Sequence, residues 1–523
     1  MSARSHEILI RGVNWIGDAV LTLPALKSIR RNFPEAHISL LVKPWVSEIF
    51  RGNPDIDEII LYGDGYKGCA GKLRLARALR RRGFDKAILL QNAFDAALIS
   101  WLAGIPERTG YKRDCRGMLL TNAVPVRKDV LRKHQVYYYL NLLESAGIRT
   151  VEAQPYIYLT GDEINQAERI ISSSLPGPGR PLVGINPGAA YGPAKRWPSE
   201  RFAGLIRRII GELDARVIIF GSGSEAPIAD EIIESAAVQP PDSAQGHDRP
   251  RILNMCGKTG LRELAALISG CDAFVTNDSG PMHMACALFV PVVAIFGSTD
   301  KAATGPFGPG HRVVSSNLPC SPCMKRECPE RHLECMAGIT VDEVFDALKA
   351  VLPRKRAVFL DRDGTIIEDK NYLNSFDGLE ILPGAGEALS RLKDAEFMLI
   401  GVTNQSGIAR GIVDNEFIIK SNEYLKDRLG MDDFLYCPHH PDERCPCRKP
   451  EPMMILRAGL MHGIRLRDSY VIGDKESDAL LARRAGATGI LLSPEQSPAR
   501  TCAAHIAKGL NDAVEWILQR EGK

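Results

Sequence analysis

The run Val358-Phe-Leu-Asp-Arg-Asp-Gly-Thr365 is an apolar stretch that ends in two carboxylates at i and i+2, followed at once by glycine and a hydroxyl. At the C-terminal edge of a parallel sheet, this spacing delivers Asp361 and Asp363 into the crevice where ligands bind. One carboxylate can attack phosphorus while the next manages the leaving-group proton. Two acids this close repel, so a cation is expected between them and a phosphate. Alone, Asp-x-Asp reads equally well as a loop or a helix cap. Three later segments argue against that. Val402-Thr-Asn-Gln-Ser-Gly407 ends a second strand with hydroxyl and amide donors, and Arg448-Lys449-Pro450 supplies fixed positive charge. Ile472-Gly-Asp-Lys-Glu-Ser-Asp478 ends a third strand with Asp474, whose carboxylate suits Mg²⁺.

Seven of the thirteen cysteines fall in two groups, Cys320–Cys335 and Cys437–Cys447. Cys437, His439, Cys445 and Cys447 form a Cys-x-His, Cys-x-Cys set with the ligand chemistry of a closed tetrahedral Zn²⁺ site, against the alternative of buried thiols. Cys447 lies two residues before Lys449, so such a site would fix the loop that carries it. The spacing of Cys320, Cys323, Cys328 and Cys335 permits a second Zn²⁺ but suits a redox-sensitive or purely structural loop as well.

Further chemistry sits upstream. Arg11-Gly-Val-Asn-Trp-Ile-Gly-Asp-Ala-Val20 leads from a strand into a helix, with Asp18 at the helix start, where a carboxylate also serves the helix dipole. Asn186-Pro-Gly-Ala-Ala-Tyr-Gly-Pro-Ala-Lys-Arg-Trp-Pro198 follows another strand with small residues and two basic side chains that can hold a pyrophosphate. In Phe220-Gly-Ser-Gly-Ser-Glu225 the carboxylate can accept from a ribose hydroxyl. Val275-Thr-Asn-Asp-Ser-Gly-Pro-Met-His283 offers Asp278, His283 and a phosphate-binding helix start. Each of these, taken singly, is equally an ordinary strand-to-helix loop.

The elements that must position these residues form three alternating series. Strands are predicted at Ile8–Arg11, Ile38–Val42, Glu58–Leu61 and Lys86–Gln91. A second series has them at Leu182–Asn186, Arg216–Phe220, Ala273–Thr276 and Val292–Phe296, and a third at Ala357–Leu360, Phe397–Val402 and Tyr470–Ile472. Alternation of β and α units predicts mainly parallel sheets. Breaks at Pro176–Arg180 and Pro353–Arg356 divide the chain into domains 1–175, 176–352 and 354–523, with Gln239–Pro250 expected as a loose loop. At 523 residues, 45% hydrophobic and 25% charged, the chain has the composition of a globular protein rather than a fibre or a disordered chain. No apolar run approaches the ~18–20 residues that cross a bilayer. The polar start Met1–His6 has no apolar signal core, so a cytoplasmic protein is expected. The net charge of +3 predicts no nucleic-acid partner. Residues 1–170 nevertheless hold 25 Lys+Arg against 18 Asp+Glu, an excess that suits an anionic partner or simply a solvated surface.

Over about Lys355–Asn511, the ordered motifs resemble the haloacid-dehalogenase-type phosphatases, more narrowly the D-glycero-D-manno-heptose 1,7-bisphosphate phosphatases. The resemblance implies Asp361 as nucleophile, Asp363 as general acid/base, and Thr403 with Lys449 on the phosphoryl group. It places Mg²⁺ on Asp361, the Asp363 carbonyl and Asp474, and Zn²⁺ on Cys437, His439, Cys445 and Cys447. Asp369, Tyr372, Asn404, Gln405, Ser406, Arg448 and Lys475 match substrate-contact positions. The short zinc loop has the length seen in histidinol-phosphatases, while Thr403–Gly411 favours the heptose group.

Over about Ile8–Leu352, Gly192-Pro-Ala-Lys-Arg-Trp-Pro198 and Val275-Thr-Asn-Asp-Ser-Gly280 resemble the ADP-heptose:lipopolysaccharide heptosyltransferases of the heptosyltransferase II branch. The implied architecture is α/β: two Rossmann-like GT-B halves, here followed by a haloacid-dehalogenase-like α/β domain. Implied roles are Asp18 as base, Lys195 neutralising the ADP leaving group, and Glu225, Asp278, Ser279, Gly280 and His283 contacting ADP-heptose, with inversion and no essential metal. The implied acceptor is phosphorylated inner-core lipopolysaccharide at the cytoplasmic face of the inner membrane, where Arg74, Arg77, Arg80, Arg81 and Arg82 would meet anionic head groups. The sequence therefore predicts a bifunctional enzyme of lipopolysaccharide core assembly. Two rivals stand beside it: a histidinol-phosphatase-like unit fused to another transferase, and a sugar-nucleotide-binding scaffold with a degenerate transferase half.

Overall fold

Side chains alternate across a strand, and the first strand shows what this does: Ile8 and Ile10 enter one apolar core while Leu9 enters another on the opposite face. The same split sends Val358 and Leu360 to one side of a later strand and Ala357 and Phe359 to the other. Strands buried on both faces need helices on both faces, and that is the architecture observed in the computed structural model. It describes residues 6–177, 179–236, 251–493 and 501–522. The expected loop Gln239–Pro250 and the first five residues of the polar start lie outside the described residues.

The chain divides into two compact units, Met1–Val351 and Leu352–Lys523. The first holds two six-stranded sheets and the second holds one. Sheet one contains β1 (Glu7–Arg11), β2 (His37–Val42), β3 (Glu58–Leu61), β4 (Lys86–Leu89), β5 (Glu107–Tyr111) and β6 (Asn122–Val124), in the order β3-β2-β1-β4-β5-β6. Sheet two contains β7 (Leu182–Asn186), β8 (Arg216–Ile219), β9 (Ile252–Asn254), β10 (Ala273–Asn277), β11 (Val292–Phe296) and β12 (Arg312–Ser315), in the order β12-β11-β10-β7-β8-β9. Sheet three contains β13 (Ala357–Leu360), β14 (Met398–Asn404), β15 (Asp433–Cys437), β16 (Tyr470–Gly473), β17 (Thr488–Leu492) and β18 (His505–Ala507), in the order β15-β14-β13-β16-β17-β18.

Counted within each sheet, all three share the order 3-2-1-4-5-6, and their ladders are parallel. In such a sheet the first and fourth strands send their crossovers to opposite faces, leaving a crevice beyond their C-terminal ends. Those switch points fall at β1/β4, β7/β10 and β13/β16. Among the described residues no helix is long and apolar enough to cross a membrane.

Candidate active sites at the switch points

In the second unit, β13 ends at Leu360 and β16 at Gly473, so Asp361 and Asp474 emerge side by side at the crevice. Asp361 is buried, and its Oδ1 lies 2.7 Å from Lys449 Nζ. Lys449 is buried too; it also donates to the Val402 carbonyl at 3.0 Å and lies 2.7 Å from Asp478 Oδ1. Burial pushes the Asp361 carboxyl up to about 6, against the pull of Lys449. Burial opposes the Lys449 charge, but the two carboxylates outweigh it and raise its pKa.

Asp363 faces another set of partners. Arg362 forks onto it, Nε to Oδ2 and Nη2 to Oδ1 both at 3.1 Å, while Thr403 Oγ1 at 3.1 Å and Gln405 Nε2 at 2.9 Å donate to Oδ2. Asn404 clamps the Lys449 backbone, accepting from its N–H at 3.0 Å and donating to its carbonyl at 3.3 Å. Lys475 Nζ reaches Asp369 at 3.2 Å and Asp474 at 3.8 Å. Tyr372 is half exposed and packs against Gly407. Arg448 Nη1 is buried without a hydrogen-bond partner, and Ser406 lies on the turn after β14.

The side-chain carboxylates that converge here are Asp361, Asp474 and Asp478, each offering an oxygen within 4.8 Å of the others. The Asp363 side chain is engaged by Arg362, Thr403 and Gln405, and Asp478 joins the carboxylate cluster beside the expected Asp361 and Asp474. A cation suits the Asp361–Asp474 side, because Asp474 Oδ1 is buried with no hydrogen-bond partner. Gly364, at φ +83°, lets the chain pass this carboxylate, since a Cβ there would sit 2.5 Å from Asp474 Oδ2.

Cys437 ends β15 and meets the later loop, so that one donor atom from each of Cys437, His439, Cys445 and Cys447 lies within 4.8 Å of the others. His439 Nδ1 is 3.4 Å from Cys437 Sγ and 3.2 Å from Cys447 Sγ, and the Cys445 and Cys447 sulfurs are 2.9 Å apart. Three thiols and one imidazole at these separations fit a tetrahedral metal ion. The Cys320, Cys323, Cys328 and Cys335 set fares differently. Among the described residues, metal-ligating side chains converge only at the two clusters just given. Cys335 is buried against Gly297 while Cys320 is exposed, and the loop between them is spent on another contact. The Met324 carbonyl accepts from the Tyr191 hydroxyl at 3.0 Å, and the Arg326 carbonyl accepts from Ala194 N at 3.1 Å.

That contact belongs to the first unit's site. Lys195 follows β7 and Asp278 follows β10, and their side chains meet at 2.5 Å across the switch point. Asp278 Oδ2 also accepts from Thr299 Oγ1 at 2.7 Å, so this carboxylate anchors Lys195 at the switch point. Ser279 caps the Gly280–Ala287 helix, with its Oγ 3.0 Å from Thr276 Oγ1 and accepting from Asn186 Nδ2 at 3.3 Å. Glu225 closes its own turn, accepting at Oε2 from Ser222 N and Ser222 Oγ, each at 2.8 Å.

The other wall comes from the first sheet. The Ile16–Leu21 helix after β1 meets the Gly280–Ala287 helix end to end: a Cβ on Gly17 would lie 2.8 Å from His283 Cδ2, and one on Gly280 would lie 3.1 Å from Ile16. Asp18 is half-buried beside this contact. Burial pushes its pKa up to about 6, while a hydrogen bond from Tyr139 and the charge of Lys195 pull the other way. His283 is buried and lowered to about 4, chiefly by burial, which keeps it neutral. Asp18 from one half thus lies near enough to Lys195 from the other to feel its charge. Arg74, Arg77 and Arg80 lie on the Gly68–Arg80 helix, with Arg81 and Arg82 just beyond it; all five are exposed. Arg74 donates to the Gly65 carbonyl, Arg80 to the Leu102 carbonyl, and Arg82 pairs with Glu58.

Three contributors went unnoticed in the sequence: Asp478, Arg362 and Tyr139. The first two lay inside motifs already singled out; the third had no signal beyond a tyrosine run.

Fold and sites together define a GT-B-like α/β glycosyltransferase joined to a haloacid-dehalogenase-like α/β domain. Residues 72–334 match glycosyltransferase family 9 (heptosyltransferase), and residues 446–513 match the HAD-hydrolase-like family. The chain is 31% identical over 358 residues, 67% of its length, to the whole of lipopolysaccharide heptosyltransferase 2 of Escherichia coli K12. Over 174 residues, 32% of its length, it is 37% identical to D-glycero-beta-D-manno-heptose-1,7-bisphosphate 7-phosphatase of Helicobacter pylori J99, covering 99% of that protein. The solved structure of the E. coli ADP-heptose LPS heptosyltransferase II aligns with 66% of this chain and 98% of its own, at TM-score 0.55 and 29% identity. The chain belongs to glycosyltransferase family 9, with a heptose-bisphosphate-phosphatase-like HAD region following the transferase.

Proposed function

We propose that the chain is a bifunctional enzyme of lipopolysaccharide core biosynthesis, with a heptosyltransferase and a heptose bisphosphate phosphatase in one polypeptide. Two complete relatives, a transferase and a phosphatase, align end to end with successive parts of it, and this observation carries the reading. The transferase takes ADP-heptose as donor and the heptose-bearing, phosphorylated inner core as acceptor. Asp18 removes the acceptor hydroxyl proton as that oxygen attacks the anomeric carbon from the face opposite ADP, inverting it. Lys195 leaves Asp278 to neutralise the departing diphosphate, and Glu225, Asp278, Ser279, Gly280 and His283 line the donor site.

The phosphatase removes the 7-phosphate of heptose 1,7-bisphosphate. Asp361 attacks phosphorus and Asp363 protonates the leaving sugar oxygen. Asp363 then takes a proton from the water that hydrolyses the aspartyl phosphate. Thr403 and Lys449 hold the phosphoryl oxygens, and Asp369, Tyr372, Asn404, Gln405, Ser406, Arg448 and Lys475 line the sugar side. Asp361, the Asp363 carbonyl and Asp474 would hold Mg²⁺, which offsets the negative charge shared by carboxylate and phosphate when bound. Cys437, His439, Cys445 and Cys447 would hold a structural Zn²⁺.

We place the protein in the cytoplasm, touching the inner membrane peripherally through the arginines of the Gly68–Arg80 helix, where Arg77 is exposed. Full-length protein should transfer heptose from ADP-heptose and release phosphate from heptose bisphosphate in preference to histidinol phosphate. Asp18→Ala should abolish only the first activity and Asp361→Asn only the second. Preference for histidinol phosphate, or no transfer by the unaltered chain, defeats the corresponding half.

A further inference from the structure

The loop that carries Cys320, Cys323, Cys328 and Cys335 is tied onto the donor half. Ser321 Oγ donates to the Gly297 carbonyl at 2.6 Å and Met324 N to the Ser298 carbonyl at 2.7 Å, both just past β11. From the Lys195 turn, the Tyr191 hydroxyl donates to the Met324 carbonyl at 3.0 Å and Ala194 N to the Arg326 carbonyl at 3.1 Å. A Cβ on Gly192 would lie 2.4 Å from the Arg326 carbonyl, so the two loops close only because this residue is a glycine. The result sets two cations against one ring: Lys195 Nζ is 4.6 Å from the centre of the Tyr191 ring, and the Arg326 guanidinium carbon is 5.3 Å from it. Their partners differ. The Lys195 side chain is 13% exposed and paired with Asp278. The Arg326 side chain is exposed and, among the described residues, rests on the Tyr191 ring without an ion pair. The neighbouring Arg196 spends its Nη2 on the Ala189 carbonyl at 3.4 Å.

Resting on the reading of Lys195 as the residue that meets the ADP diphosphate, we infer that Arg326 is a second donor-site residue and binds this same diphosphate. The Lys195–Asp278 pair sums to no net charge, whereas each phosphate of a nucleotide diphosphate sugar is anionic. Arg326 supplies the missing positive charge, and its planar fork can take two phosphate oxygens at once. The tyrosine ring orients the guanidinium before the donor arrives, which lowers the ordering cost of binding. The cysteine-bearing loop thereby acquires a function, which is to bring a diphosphate-binding guanidinium to the switch point.

The test is the affinity for ADP of the full-length chain, measured by isothermal titration of the unaltered protein, Arg326→Ala, Arg326→Lys and Lys195→Ala. Because the Arg326 side chain is exposed, neither substitution there disturbs the core. Arg326→Ala should weaken ADP at least about tenfold, the scale of a lost charge-assisted hydrogen bond, and Arg326→Lys should restore part of the loss. Inhibition of heptosyl transfer by adenosine, which lacks phosphate, should be unaltered in Arg326→Ala, as should phosphatase activity. A merely structural arginine would weaken ADP and adenosine alike, and that result overturns the inference. So does an unaltered ADP affinity in Arg326→Ala where Lys195→Ala lowers it. ADP affinity unaltered in both variants overturns the reading of the donor site itself, and the inference with it.

Discussion

Lys449 stands between two buried carboxylates, its Nζ 2.7 Å from Asp361 and 2.7 Å from Asp478. One is the reading's nucleophile; the other lies in the first turn of the Glu476–Arg484 helix and holds the ammonium from behind. A Cβ on Gly473 would fall 2.3 Å from the Asp478 carboxyl carbon, so the strand end is bare to admit this acid. Asp478→Asn leaves Lys449 with a single counter-charge in a site closed to water. Breaking a buried pair of this kind costs about 3–5 kcal/mol. We expect the phosphatase unit to unfold at lower denaturant concentration and its kcat to fall at least about tenfold, while heptosyl transfer persists. Unchanged unfolding and turnover would refute the anchoring role.

The pH profile of transfer follows from Asp18. With its pKa raised to about 6, the carboxylate exists above that pH and is lost as pH falls through it. The rate should therefore be flat near pH 8 and decline with unit slope below about pH 6, and Asp18→Asn should lower the plateau about 10²–10⁴-fold. An acid limb near pH 4 would show that burial does not control this group.

Metal content offers an independent measurement. Elemental analysis should find one Zn²⁺ per chain, lost in Cys445→Ser. Because Cys447 is followed two residues later by Lys449, stripping the ion should release the phosphate-binding loop and slow phosphate release at least about tenfold. Transfer activity in the same sample should survive. Full phosphatase activity in zinc-free protein would remove the link.

Gly188 tests the donor site. A Cβ there would sit 1.9 Å from Glu225 Oε1, so Gly188→Ala must push that carboxylate away. If Glu225 accepts from the donor, KM for ADP-heptose should rise about tenfold, the effect of losing one charge-assisted hydrogen bond. An unaltered KM would assign Glu225 to capping its turn alone.

Strands buried on both faces were mostly legible, Thr488–Leu492 being an exception. Leu182–Asn186 and Val292–Phe296 are fully buried runs whose apolar residues need no alternation to be seen. Asn122–Val124, Ile252–Asn254 and His505–Ala507 passed unseen, because three residues, at most one of them buried, carry no readable period; Glu107–Tyr111, Arg312–Ser315 and Asp433–Cys437 were missed as well. Among site residues, those at strand ends were readable: Asp361, Asp474, Asn404 and Asp278 each terminate an apolar run. Those whose role depends on a partner were not. Asp478 looks like any acid in a helix's first turn, and Arg362 gains meaning only as it forks onto Asp363. Tyr139 is one of three successive tyrosines, and only the fold turns it toward Asp18. The Cys320–Cys335 spacing left its role open for the same reason: it cannot show that carbonyls of this loop are engaged by the Lys195 turn.

The shared 3-2-1-4-5-6 order has a consequence for assembly in the cell. Three sheets of like pattern leave the ribosome in succession, and each exposes unpaired edges on which a neighbour's strand can mispair. The outermost strands answer this hazard: β3, β6, β9, β12, β15 and β18 are only three to five residues long. Edges so brief offer few backbone groups to a foreign strand, which protects a chain built from three similar sheets against swapping and aggregation.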